Sequence, residues 1–168
     1  MKISDLPKVI PLTQGKFAIV DADKYEWLNQ WKWYASCGKG KCYARRTKRI
    51  GKRIENKKIN IYMHHEVLRP LIGFEIDHIS GNALDNRSKN LRICLHAENQ
   101  RNRTPQKGGT SKHKGVFWNA KYAKWQVQIE KDNKRTYLGR YSDEDKAARA
   151  YNHEAVKQFG EYARVNEI

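Results

Sequence analysis

Apolar and polar positions change rhythm three times along the chain, and each change marks a different structural unit. Between Val9 and Tyr62 the apolar runs are short and broken by Gly, Lys and Arg, which predicts small strands and turns: "KFAIVD" and "KCYARR" as strands, and the aromatic "KYEWLNQWKWY" as a short helix or a strand platform. "INIYMHHEVLRPLIG" then reads as a strand passing into a short helix that stops near Pro70. "FEIDHIS" reads as a strand entering a turn at Gly81-Asn82, and "LRICLHAENQRNR" as a strand followed by a helix. Strand, loop, strand, helix is the order of a small ββα unit.

Beyond "TPQKGGTSKHK", which has the composition of a linker, the period becomes a clean two. "GVFWN", "KWQVQIEKD" and "KRTYLGRY" predict three antiparallel strands, with Trp125, Val127 and Ile129 on one face of the middle strand and Gln126, Gln128 and Glu130 on the other. Trp118 is expected inside as well. The period then turns helical: Ala148, Tyr151, Ala155 and Phe159 share a stripe, Ser142 with Asp145 resembles a capping box, and Gly160 is a natural stop. The fold class expected is α+β. The domains expected are residues 1–104 with a basic β-rich arm, a linker at 105–112, and a three-stranded sheet packed on one helix at 113–168.

Charge changes the picture from fold to partner. The 168 residues carry Lys+Arg 34 against Asp+Glu 18, a formal charge of +16. Such a chain is expected to bind a polyanion. Between Gly38 and Lys58 there are ten basic residues and one acid, which favours a phosphate-tracking arm; Arg45, Arg46, Lys48 and Arg49 are its candidate contacts. With no run of about 18 apolar residues and no apolar core of a signal peptide near Met1, a membrane role is not expected, and the place of action is expected to be the cytoplasm. Cys37, Cys42 and Cys94 form no paired metal-ligand pattern and are expected to be reduced and half-buried. Trp27, Trp31, Trp33 and Tyr34 could stack bases, but a compact aromatic core is the favoured reading.

The candidate chemistry lies in "EIDHISGNALDNRSKNLRICLHAENQRNR", an Asp-His pair followed by five asparagines. Phosphodiester hydrolysis needs a water deprotonated, which a neutral imidazole can do, and the developing charge and leaving oxygen stabilised, which a hard cation on oxygen ligands can do. The residues "IDHISGN", "LDNRSKNLR" and "AENQRN" resemble the HNH nucleases of the ββα-metal superfamily, in the branch of the homing endonucleases. The resemblance implies that Asp77 binds metal, that His78 is the general base, that Asn90 fixes the loop and orients the histidine, and that Asn99 is the second metal ligand, with Asn102 as the alternative. His96 is less well placed, and His64 either contacts phosphate or packs. Asn82, Asp85 and Asn86 read as turn formers only. The implied cofactor is a divalent ion, Mg2+ or Mn2+.

From Ser111 to Asn166, "KGV", "YLGRY", "AARAY" and "FGEYARVN" resemble the DNA-binding domain of the plant Apetala and ethylene-response-factor proteins. That resemblance implies a sheet lying in the major groove, with Lys114, Phe117, Asn119, Gln128, Glu130, Arg135 and Tyr137 facing double-stranded DNA and Lys121, Tyr122 and Lys124 around the first turn. Lys114, Phe117, Asn119 and Glu130 stand where the plant pattern has arginines, so fewer guanidiniums are available for bidentate guanine contacts. The expectation as a whole is a metal-dependent, site-specific endonuclease, a monomer or homodimer. Its rival is a non-enzymatic DNA-binding regulator.

Overall fold

The computed structural model describes residues 6–38, 40–51, 57–102 and 108–168. They form a mixed α/β chain with small antiparallel sheets, divided into two compact units, Met1–His96 and Ala97–Ile168. The division falls before the linker expected at 105–112, of which 105–107 lie outside the described residues.

In the first unit, β1 (Lys8–Pro11) and β2 (Phe17–Val20) make a hairpin, α1 spans Ala22–Asn29, and β3 (Tyr34–Gly38), β4 (Lys41–Arg49) and β5 (Lys58–Tyr62) form a three-stranded meander. Thus "KYEWLNQWKWY" is helix in its first half and strand from Tyr34. The apolar side chains of these elements meet in one core of Ile10, Ala18, Val20, Leu28, Trp33, Ala44 and Met63, with Trp27 and Trp31 packed against it. Trp33 donates its indole N–H to the Leu28 carbonyl at 2.8 Å, so the aromatic group serves packing, as favoured.

Two expectations for this region are corrected. Cys37 and Cys42 are a directly opposed cross-strand pair on β3 and β4, and they form a disulfide instead of remaining reduced. The hairpin holds their Cα atoms 4.0 Å apart, close enough for the bond. Arg46 does not face outward: its guanidinium stacks 4.2 Å from the Trp31 ring centroid and pairs with Glu66 at 3.0 Å, so it is committed within the unit and not offered to phosphate. Lys48 and Arg49 are exposed. The basic positions 39, 52 and 53 lie outside the described residues.

The meander leads into α2 (Met63–Leu68), then β6 (Glu75–His78) and β7 (Leu91–Cys94), which pair antiparallel, then α3 (His96–Arg101). This is the strand, loop, strand, helix order read from the sequence.

In the second unit, β8 (Val116–Asn119), β9 (Lys124–Lys131) and β10 (Lys134–Tyr141) form a sheet with β9 in the centre, and α4 (Glu144–Phe159) covers one face. Val127 and Ile129 are buried against Ala147, Ala148, Tyr151, Ala155 and Phe159, as the two periods predict. Asp132 and Asn133 both take positive φ, 52° and 61°, the geometry of a two-residue hairpin turn. The helix begins one residue later than expected: Asp143, not Ser142, is the cap, and its carboxylate accepts from the Lys146 N–H at 2.7 Å. Trp118 also departs from expectation, at 40% exposure. It is the third residue of a four-residue edge strand, which has a neighbour on one side only, and it leans edge-on against Trp125 at 5.1 Å.

Candidate active site

Antiparallel register places Asp77 opposite Arg92 and His78 opposite Leu91. Cross-strand partners share a face, so the Arg92 side chain meets the Asp77 carboxylate, donating from Nε at 2.9 Å and from Nη2 at 2.6 Å to the same Oδ2. Both side chains are largely buried, which makes this a charge-assisted pair that fixes the carboxylate rotamer.

The loop from Ile79 to Asn90 is closed by Asn90. Its Oδ1 accepts the Ser80 N–H at 3.0 Å, its Nδ2 donates to the Asp85 carbonyl at 2.8 Å, and its backbone carbonyl accepts the Ile79 N–H at 2.8 Å. Gly81, at φ 77°, lets the chain reverse directly after β6, and its N–H returns to the His78 carbonyl at 2.7 Å. A carboxamide is needed at position 90 because the site asks for one acceptor and one donor from the same side chain.

Asp85 and Asn86 exceed the turn-forming role expected of them. Asp85 is buried and takes the Arg87 guanidinium on both oxygens, at 2.8 and 2.5 Å. Asn86, 1% exposed, lies beside His78. Its N–H donates to the Ile19 carbonyl, while the Ile19 N–H donates to Leu84, so the loop is laid against β2 like an added strand. Ser88 is tied to the same hairpin region through its N–H to Asp21 Oδ2 at 2.7 Å.

Rings surround the histidine. His64, the second residue of α2, meets His78 edge-on at 5.0 Å between ring centroids, and Tyr43 of β4 lies 6.1 Å from His78. Tyr43 and Tyr62 in turn contact His64 at 5.8 and 5.5 Å. Burial pushes the His78 imidazole below its ordinary pKa against the opposing pull of Asn86, Asp77 and Asp85, with Lys41 adding to the depression. Burial and the neighbouring imidazoles of His78 and His65 drive His64 down to about 3, so it is neutral throughout the physiological range. Burial, Tyr62 and Asp77 raise the Tyr43 phenol. The arrangement is a neutral imidazole held rigidly beside a carboxylate, which is what a general base acting near neutral pH requires.

Of the residues read from sequence, Asp77, His78, Asn90 and His64 come together in the first unit. Asn99 and Asn102 lie on and just after α3, in the second unit. His96 turns to Glu75 at 2.7 Å, at the far end of β6 from His78. Tyr43 and Arg92 were not singled out, and Asn86 was read only as a turn former. For Arg92 a signal existed, since pairing "EIDH" antiparallel with "LRIC" end to end sets it opposite Asp77; Tyr43 and Asn86 had none, because long-range packing brings them in.

Asp77 offers an anionic oxygen of the kind a hard divalent ion binds, and a carboxamide oxygen is a suitable neutral companion. Among the described residues no cluster of three His, Cys, Asp or Glu side chains could hold a metal on its own.

On the outer face of the second unit, Tyr122, Lys121, Lys124, Glu130, Arg135 and Tyr137 are exposed, while Phe117, Asn119 and Gln128 are half-buried. Arg135 pairs with Glu130 at 2.8 Å and Asn119 donates to Gln126 at 2.8 Å. Lys114 is turned inward, its ammonium bonded to the Arg101 carbonyl and its backbone N–H to Asn166 at 2.7 Å, and so it is not part of an open face. Arg140, not singled out from sequence, stacks 3.5 Å over the Tyr122 ring.

Among the described residues no helix is long and apolar enough to cross a membrane. Residues 70–101 match the family described as HNH endonuclease. Over 157 residues the chain is 27% identical to an uncharacterized HNH endonuclease of Acanthamoeba polyphaga mimivirus, covering 92% of this chain and 77% of that protein. Over 63 residues it is 36% identical to Protein 3.8 of Escherichia phage T7, covering 38% of this chain and 52% of that protein. The segment carrying Asp77, His78, Asn90 and Asn99 therefore lies within the stretch that matches the HNH endonuclease family.

Proposed function

We propose that the protein is a metal-dependent DNA endonuclease of the homing type, in which His78 is the general base. The observation that carries this reading is the placement of a buried, neutral imidazole directly after Asp77 at the end of β6, in a loop locked by Asn90. His78 would take a proton from the attacking water. Asn90 would hold the backbone that carries the imidazole, and the rings of His64 and Tyr43 would exclude bulk water from its buried side. Asp77 and Asn99, with Asn102 as the alternative, would hold a divalent ion, Mg2+ or Mn2+, which would supply charge stabilisation at the phosphate and the leaving 3′-oxygen. The products would carry 5′-phosphate and 3′-hydroxyl ends.

The C-terminal sheet, in its resemblance to the plant DNA-binding domain, would hold the duplex in the major groove through the outward side chains of β8 to β10. Lys48 and Arg49 would add sequence-independent phosphate contacts. One site per chain means one nick per encounter, so a double-strand break needs a homodimer or a second visit. Incubating the protein with magnesium and a random duplex library, then sequencing the ends, tests the reading. Ends enriched for a common sequence are expected, and their loss in His78→Ala with duplex binding retained assigns the base. Binding without cleavage by the unaltered protein would favour the DNA-binding regulator instead.

A further inference from the structure

Between α2 and β6 the chain makes a tight turn whose tip is aliphatic. The Phe74 N–H donates to the Leu71 carbonyl at 3.1 Å, and Gly73 takes φ 92°, the geometry of a type II turn with Ile72 at its first corner. Pro70 precedes the turn, and Arg69, in the left-handed region at φ 36°, ends α2 by donating its N–H to the His65 carbonyl at 3.0 Å. The backbone is thus fixed at both ends. On it Leu71 is 77% exposed and Ile72 fully so, with Phe74 half-exposed at the root.

A scattered aliphatic on a surface needs no explanation, but two adjacent ones presented by an ordered tip do. The surroundings indicate the occupant. No acidic residue occurs from Val67 to Phe74, Arg69 is exposed at the base of the turn, and the nearest carboxylates, Glu66 and Glu75, are engaged by Arg46 and His96. A single arginine beside an apolar tip, on a chain of formal charge +16, suits a partner that is anionic outside and apolar within, which describes stacked base pairs behind a phosphate backbone. Ile72 is five residues from Asp77, so by chain length alone it lies within about 18 Å of the candidate active site.

We propose that the Leu71–Ile72 turn is a wedge that inserts from the minor groove between base pairs a few steps from the linkage being cut. Unstacking there would kink the duplex and bring the linkage toward His78, in the way apolar side chains bend DNA elsewhere. The insertion itself rests on the reading that the chain binds duplex DNA, and only its placement near a cut linkage rests on the nuclease reading.

The test uses the full chain in EDTA with a duplex recovered from a random library by binding alone, carrying 2-aminopurine at successive steps. Emission is expected to rise at one step or two adjacent ones. The rise should be lost in Leu71→Ser/Ile72→Ser, with an unchanged unfolding midpoint and an unchanged salt dependence of binding. Tight binding with no rise at any step, or a rise retained by the double variant, overturns the wedge while leaving DNA binding intact. Failure of the unaltered chain to bind any duplex overturns both readings. A change in the sedimentation of the free protein on substitution would assign the turn to a contact between copies and overturn the wedge.

Discussion

Asp77 and Arg92 face each other across β6 and β7, with two guanidinium nitrogens on a single carboxylate oxygen at 2.9 and 2.6 Å. Removing one member leaves the other's charge buried. Arg92→Ala is expected to destabilise the first unit by about 3 kcal/mol or more. Arg92→Lys should recover only part of this, because an ammonium cannot reproduce the fork. Urea unfolding of the three proteins measures both effects.

His64 makes stability depend on acidity. Its imidazole is held at about 3 in the folded chain against an ordinary value of 6.5, so between these values the unfolded chain binds the extra proton. Stability from this group is complete above the ordinary value and is lost as pH falls below it, by about 2 kcal/mol near pH 5. Denaturant midpoints measured near pH 7.5 and pH 5 should diverge for the unaltered protein, and less so for His64→Gln.

The same sign applies to activity. Because burial lowers the pKa of His78, the acid limb of the cleavage rate should have its midpoint below 6.5, and activity should persist into mildly acid solution. His78→Ala should abolish cleavage at every pH while duplex binding, followed by fluorescence anisotropy, is kept. A midpoint above 6.5 would contradict the buried setting.

Asn90→Ala removes an acceptor and a donor together, stranding the Ser80 N–H and the Asp85 carbonyl. A loss of about 2 kcal/mol is expected, with a larger fall in cleavage rate than in duplex affinity. Asn90→Asp keeps only the acceptor and should fall between, as kcat and binding measured side by side would show.

Gly115, at φ 75°, has no room for a side chain: an added Cβ would lie 2.2 Å from the Tyr151 ring and 2.6 Å from the Gln128 carbonyl oxygen. Gly115→Ala is expected to lower the unfolding midpoint of the second unit by several degrees, with cleavage-site chemistry unaffected.

Elements built on local pattern were legible in advance. The period-two strands of the second unit and the stripe Ala148, Tyr151, Ala155 and Phe159 came directly from spacing, because one buried face per element is all that pattern encodes. What escaped notice depended on residues far apart in sequence. Tyr43 reaches His78 from β4, Arg46 turns inward to Trp31 and Glu66, and Asn86 reads as a turn residue until the fold sets it beside the imidazole. Charge counts mislead in the same way, since Arg46, Arg87 and Arg92 are engaged by carboxylates of their own unit.

The reciprocal bonds between Ile19 and the Leu84–Asn86 stretch give the amino-terminal hairpin a second occupation. It is the bench on which the Ile79–Asn90 loop is assembled, and Asp21 steadies the far end of that loop at Ser88. The stretch 70–101, which matches the HNH endonuclease family, is consequently not self-contained. A chain shortened to begin after α1 should lose the orientation of its histidine although residues 70–101 are all still present.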